Sequence, residues 1–277
     1  MAINLTSSQL QRINELDAGS SGLSACAFND AAEREAAFNE IVADLSLKNR
    51  ENVRKALARP SRTYLATTIN EIARSLIRQG FTEVSTPTII SENAVRRMGI
   101  GEDHPLNRQI FWLDGKRCLR PMLAPNLYKM MIELDRNARG HFGIFEVGTC
   151  FRKESKGAHH LEEFTMLNLV EIRPERQPEV RLREILSTIL DPLGLEWSIE
   201  TELSDVYGET WDVIVDGTEL ASAAAGPHPL DAAHGVDFPW MGIGMGIERL
   251  NMLRNGSRGI RRYSSSLSYL NGWRIDI

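Results

Sequence analysis

The chain has 277 residues, with 32 Lys and Arg against 37 Asp and Glu for a net charge of −5, and 42% of it is apolar. That balance excludes a collagen-like or largely disordered chain, and the mild acidity argues against a protein that coats nucleic acid non-specifically. No apolar run reaches the roughly 18 to 20 residues of a membrane helix, no basic n-region with an apolar stretch opens the chain, and Cys26, Cys118 and Cys150 are too scattered for a disulfide framework or zinc quartet; a soluble, cytoplasmic protein without a membrane partner is expected.

In chain order, residues 1–60 predict short helices. Leu10, Ile13 and Leu16 recur at helical spacing ahead of a turn at Gly19-Ser20-Ser21-Gly22. Asp30 stands three residues before Glu33 as an N-cap pair for a second helix, and a third is expected over residues 50–59, stopped by Pro60. The clearest helix follows, with Ser61 as its cap, Leu65, Ile69, Ile72, Ala73 and Leu76 as one apolar stripe, and Gly80 at its end. Residues 81–90 are rich in strand formers but broken by Pro87, which suits an edge, a bulge or an interface. Asp114-Gly115, between residues 109–113 and 117–119, signals a hairpin; Pro125 then opens a helix with Leu127, Met131 and Leu134 on one face. Residues 142–153 and 163–172 read as long strands joined by a polar loop, and 178–190 as an amphipathic helix. Asp216-Gly217 marks a second hairpin between 210–215 and 218–225, and Gly242, Gly244 and Gly246 lead into a short helix from Ile247. Hairpin-linked strands with helices before and between them predict an α+β domain: an antiparallel β-sheet flanked by helices.

Absent motifs narrow the chemistry. There is no phosphate-binding Gly-x-x-x-x-Gly-Lys-Ser/Thr loop, no His-Glu-x-x-His and no Gly-x-Ser-x-Gly, and the glycine run at 242–246 follows no βαβ unit, which disfavours a Rossmann site. Three patterns remain. Arg152 and Glu154 share one strand face, and Phe164, Met166, Asn168 and Val170 share one face of the return strand. A guanidinium for phosphate, a carboxylate for an exocyclic amine and a ring for a base suit a nucleotide; a rim ion pair between Arg152 and Glu154 beside an ordinary core Phe is the competing reading. Arg249 opens a helix beside glycine-rich backbone, where the helix dipole opposes it unless it faces an anion. Glu219 and Ser222 offer hard oxygen ligands, but three residues apart they face opposite ways on a regular strand, so a shared ion needs a bulge or a position at the strand rim.

Together these patterns resemble the signature motifs of the class II aminoacyl-tRNA synthetases. Within that class, Arg97-Met-Gly-Ile, Cys118-Leu-Arg-Pro-Met-Leu-Ala-Pro-Asn-Leu-Tyr128, Phe151-Arg-Lys-Glu-Ser155, His160-Leu-Glu-Glu-Phe-Thr-Met-Leu-Asn168, Ser222-Ala-Ala-Ala-Gly-Pro227 and Gly246-Ile-Glu-Arg-Leu250 are similar to the catalytic domain of the pyrrolysyl-tRNA synthetase family. The resemblance runs from about Pro60 to the C-terminus and implies a helical N-terminal extension over 1–60 and a class II catalytic domain over 61–277. It is to the short forms, which either lack the N-terminal tRNA-binding domain of longer members or have it as a separate protein. It implies a homodimer with Pro87 at the interface, and an ATP-dependent ligase that joins pyrrolysine to its cognate tRNA(Pyl).

The roles carried over by the resemblance are specific. Arg152 and Arg249 are the catalytic arginines, on the α-phosphate and the γ-phosphate end of ATP. Phe164 stacks on adenine, Glu154 and the Leu161 backbone read it, and Glu219 and Ser222 hold Mg2+. For the amino acid, Asn168 grips the side-chain carbonyl and Tyr207 closes over the pyrroline ring. Ala124, Leu127, Tyr128, Met131, Val170, Ala224 and Trp240 line the apolar pocket, with Met131 and Val170 standing where longer members carry leucine and cysteine. A tRNA partner needs only a basic face; Arg54, Lys55, Arg59 and Arg62 offer one cluster, and Arg254, Arg258, Arg261 and Arg262 another.

Overall fold

The computed structural model describes residues 3–17, 27–153, 161–204, 208–257 and 259–277. Along the chain lie β1 (Ile3–Asn4), α1 (Ser7–Leu16), β2 (Ala27–Phe28), α2 (Ala31–Ala58), α3 (Tyr64–Arg78), β3 (Phe81–Glu83), β4 (Ile89–Ser91), α4 (Glu92–Arg96), α5 (Pro105–Arg108), β5 (Arg117–Leu119) and α6 (Ala124–Ala138). There follow β6 (Phe142–Phe151), β7 (Glu163–Ile172), α7 (Pro178–Leu190), β8 (Ser198–Ser204), β9 (Gly208–Val215), β10 (Thr218–Gly226), α8 (Asp231–His234), β11 (Trp240–Gly246), α9 (Ile247–Arg254), β12 (Tyr269–Leu270) and β13 (Trp273–Arg274).

A seven-stranded sheet in the order β3-β6-β7-β11-β10-β9-β8 organises the molecule. Its central ladder is the β6–β7 pair, in register from Phe142 opposite Ile172 to Phe151 opposite Glu163. The Asp216-Gly217 turn joins β9 to β10 with both residues at positive φ, +48° and +70°, the primed-turn geometry that matches strand twist. Strand alternation sorts the side chains by face. Phe145, Leu167, Leu169, Met241 and Ile243 point one way, under Ile72 and Leu76 of α3 and Leu182, Ile185 and Leu186 of α7. Ile144, Val170, Ile172 and Ala224 point the other way, toward α6 and the β4–β5 segment. Burying each such aliphatic side chain contributes roughly 1.5–3 kcal/mol, so both faces are committed.

Several expectations need correction. The sheet is mixed rather than antiparallel, because the edge strand β3 pairs in parallel with β6. That pairing joins segments separated by α6 and everything between, which no local pattern reveals. α2 runs unbroken through the residues expected to form a second and a third helix, since neither Gly nor Pro interrupts 31–58. Thr63, not Ser61, caps α3, its Oγ1 accepting from Ala66 N at 3.3 Å. Residues 109–113 form no strand: Trp112 makes one bridge to Cys118, while β5 ladders with β4. The expected turn at 19–22 lies outside the described residues.

The N-terminal helices have their own small core around Leu5, Ile13 and Phe28. Polar groups stitch them to the C-terminal segment. Buried Asn49 donates to Leu16 O at 2.7 Å and accepts from Arg274 N at 2.6 Å. Arg262, also buried, donates to Gly272 O at 2.7 Å and to Asn14 O. Arg262 is therefore a fastener between the two ends of the chain rather than part of a basic face.

Candidate active site

The face of the sheet opposite α3 and α7 is not wholly covered. Between it and α6 lies a cavity of about 660 Å³. β7 contributes Phe164, Met166, Asn168 and Val170, the alternate residues expected to share a face, while Leu167 points to the covered side. α6 contributes Ala124, Leu127, Tyr128 and Met131, whose spacing is one helical stripe. Glu219, Ser222 and Ala224 come from β10, Trp240 from the start of β11, and Arg249 from the first turn of α9. Arg152 and Leu161 flank the loop between β6 and β7. Glu154 and Tyr207 lie outside the described residues, and so does the alternative rim pair between Arg152 and Glu154.

The cavity has a charged end. Arg152 Nε donates to Pro121 O at 2.9 Å, and its guanidinium carbon lies 5.4 Å from the centroid of the Phe164 ring. Arg249 Nη1 donates to Glu219 O at 2.5 Å and lies 4.0 Å from the Glu219 carboxylate. Each arginine is thus docked on a backbone carbonyl. The obstacle to Glu219 and Ser222 sharing a side is removed by a bulge between Glu219 and Ala221, where the β9–β10 register shifts. A carboxylate and a hydroxyl then line one cavity, a hard oxygen pair suited to Mg2+ when phosphate oxygens complete the set.

The other end is apolar. Tyr128, Met131, Val170, Ala224 and Trp240 are all buried there. Asn168 is a carboxamide among them, held by a 2.7 Å hydrogen bond from Nδ2 to Ile243 O. Nδ2 carries a second hydrogen with no acceptor among the described residues, so this end of the cavity offers a fixed donor in apolar surroundings.

Comparison with known proteins agrees with this geometry. Residues 47–201 match the family described as the tRNA synthetases class II core domain (F). The crystal structure of pyrrolysyl-tRNA synthetase from Desulfitobacterium hafniense is 45% identical, covers 100% of both chains and superposes with a TM-score of 0.92. The chain belongs to the pyrrolysyl branch of the class II aminoacyl-tRNA synthetases. A second structure, of the Desulfitobacterium hafniense pyrrolysyl tRNA synthetase PylSc, is 43% identical over 99% of this chain and 98% of that one, with a TM-score of 0.90. Among curated proteins, the phenylalanine–tRNA ligase alpha subunit of Chlamydia felis is 29% identical over 70% of this chain and 63% of its own length. That of Thermoplasma volcanium is 33% identical over 48% of this chain and 28% of its own length. The chain thus spans under two thirds of these curated relatives.

The synthetase site also holds groups that the sequence reading missed. Glu248, beside Arg249, is 2% exposed, and both its carboxylate oxygens accept from Thr165 N, at 2.8 and 2.9 Å. Burial pushes its carboxyl up to about 7, against the pull of those Thr165 bonds. It fastens α9 to β7 beside Phe164. Beneath the charged end, buried Arg120 pairs with buried Glu146 at 2.7 Å and donates to Thr149 O at 2.8 Å. Glu146 Oε2 accepts from Thr86 Oγ1 at 2.6 Å, and Thr86 Oγ1 in turn accepts from Asn126 Nδ2 at 2.8 Å. This network braces Pro121, whose carbonyl docks Arg152. Glu248, Arg120 and Asn126 lie inside motifs quoted above, but nothing in those motifs marks the pairings, because the partners are distant in the chain. Pro87 lies in the exposed connection between β3 and β4, outside both strands, where its missing N–H costs no ladder bond. Of the basic clusters, Arg54, Lys55, Arg59 and Arg62 are exposed, Arg254 pairs with Glu71 at 2.9 Å, and Arg258 lies outside the described residues.

Proposed function

We propose that this chain is an ATP-dependent ligase that activates pyrrolysine as an aminoacyl-adenylate and transfers it to tRNA(Pyl), as a cytoplasmic homodimer with residues 1–60 serving as an extension to the catalytic domain. One observation carries the reading: a single cavity joins two docked arginines and a phenylalanine ring at one end to an apolar pocket with one carboxamide at the other. Identity of 45% to a pyrrolysyl-tRNA synthetase across the full chain supports it.

The reaction then runs in two steps. A carboxylate oxygen of the amino acid attacks the α-phosphorus of ATP in line, and the bond to pyrophosphate breaks. The terminal ribose hydroxyl of the tRNA next attacks the carbonyl carbon, and AMP leaves. No protein nucleophile is needed; the chain's work is positioning and neutralising charge on phosphate oxygens. Arg152 takes the α-phosphate, Arg249 the γ-phosphate end, and Phe164 stacks on adenine with Glu154 and the Leu161 backbone at its edge. Glu219 and Ser222 would hold Mg2+, which supplies further neutralisation of phosphate charge. The N-terminus of α6, which has no side-chain cap, favours the substrate carboxylate or the adenylate phosphate beside Ala124. Asn168 receives the side-chain carbonyl through its amide, Tyr207 covers the ring, and Leu127, Tyr128, Met131, Val170, Ala224 and Trp240 enclose the aliphatic length. The exposed Arg54–Arg62 cluster is the proposed tRNA face.

The test is charging of tRNA(Pyl) transcript with pyrrolysine, with phenylalanine in parallel because the curated relatives are phenylalanine ligases. Pyrrolysine alone should charge. Charging with phenylalanine and not pyrrolysine would overturn the reading.

A further inference from the structure

The apolar end of the cavity is bounded by two aromatic walls whose polar atoms turn outward to one buried carboxylate. Tyr128, on α6, donates its phenol to Asp231 Oδ1 at 3.2 Å. The Trp240 indole N–H, at the start of β11, reaches both Asp231 oxygens at 3.0 Å. A third donor, His228 N, holds Oδ2 at 2.7 Å and fixes the carboxylate to its own loop. Asp231 is 4% exposed, Tyr128 5% and Trp240 4%, so the junction is dry. The two rings meet edge to face at 5.6 Å, and His234, also on α8, stacks on the far side of Tyr128 at 4.2 Å. Asp231 itself does not line the cavity.

The backbone is shaped for this junction. A Cβ at Gly226 would fall 2.1 Å from Trp240 Nε1 and 2.8 Å from Asp231 Oδ2, so a side chain there would push the indole off its acceptor. Aliphatic walls hold a ring by dispersion alone, which leaves its direction weakly set. Charge-assisted hydrogen bonds are directional and stronger, and in a dry site they fix where each ring points.

We propose that Asp231 is a positioning residue for amino-acid selection: it acts through Tyr128 and Trp240 to set the width of the pocket's apolar end without touching substrate. This rests on the reading of those rings as pocket walls. Three neutral donors converge on the carboxylate, so Asp231→Asn puts an NH2 group where an acceptor is needed and leaves at least one donor unpaired.

The experiment is amino-acid-dependent ATP–pyrophosphate exchange with full-length wild type, Asp231→Asn and Tyr128→Phe. Asp231→Asn should raise the KM for pyrrolysine about tenfold, the scale of one lost buried hydrogen-bond partner, with the KM for ATP unchanged. Tyr128→Phe keeps the ring and removes one arm, so it should shift the same KM in the same direction by less, and it tests the proposal even if Asp231→Asn fails to fold. The double variant should fall short of the product of the two effects, because both act on one junction. An unchanged pyrrolysine KM, or equal rises in both KM values, would overturn the proposal. Wild type without pyrrolysine-dependent exchange would instead count against the proposed function.

Discussion

The two ends of the cavity are built by opposite means. At the charged end, Arg152 and Arg249 are each docked on a backbone carbonyl, of Pro121 and Glu219. Both guanidinium groups also line the cavity, where an anion can meet them. At the apolar end the walls are buried rings, and their polar atoms are drawn out of the cavity onto Asp231. The charged end therefore presents cations to the cavity, while the apolar end turns its polar atoms onto the protein. Asn168 is the exception inside the apolar end, and in the proposed function it is the group by which that end reads a carbonyl rather than size alone.

This contrast can be broken from either side. The largest effect is expected beneath the charged end. Arg120→Met strands the Glu146 carboxylate in the interior, and denaturant melts should show a loss of about 3–5 kcal/mol; a loss below about 1 kcal/mol would mean that the network does not brace the site. Arg152→Ala should cost about 2.7–4 kcal/mol of barrier, read as a 100- to 1000-fold slower exchange, if its guanidinium meets charge that develops in the transition state. Near-normal exchange would remove Arg152 from the mechanism. At the other end, Asn168→Ala should act on the amino acid alone, raising the pyrrolysine KM by about 10-fold or more while ATP binding is kept. A matching rise in the KM for ATP would mean that the two ends are not separable.

A pH dependence probes the same charged end. Glu248 carries a folded value raised from 4.5 to about 7, so the fold favours its protonated form. Between those values the folded state binds more protons than the unfolded one, and stability falls as pH rises. The penalty is absent below about 4.5 and constant above about 7. Melts across that window should show the decline, and Glu248→Gln should flatten it; an unchanged slope would assign the decline to other groups.

What the sequence made legible follows from the range of the forces involved. The alternation in β7 put Phe164, Met166, Asn168 and Val170 on one face, and all of them line the cavity. Pro125 marked the start of α6, and Asp216-Gly217 marked the β9–β10 turn. These are local signals, set by backbone dihedrals and side-chain period. Non-local pairings were illegible. The parallel β3–β6 edge depends on partners far along the chain, and the Glu219–Ala221 bulge, one of two arrangements the residue spacing allowed, is decided by a register that only the sheet defines. The Asp231 junction joins residues 128, 231 and 240, and the Arg120 network joins 86, 120, 126 and 146. Each member alone reads as an ordinary polar residue. The roles of Arg152, Arg249 and Asn168 were proposed from whole motifs, since no single residue type carries them.

The most direct test of the account is ATP–pyrophosphate exchange by the full-length protein with no amino acid, with pyrrolysine and with phenylalanine. The account predicts exchange that depends on pyrrolysine and stays at background with phenylalanine. Exchange independent of amino acid, or driven by phenylalanine, would contradict it.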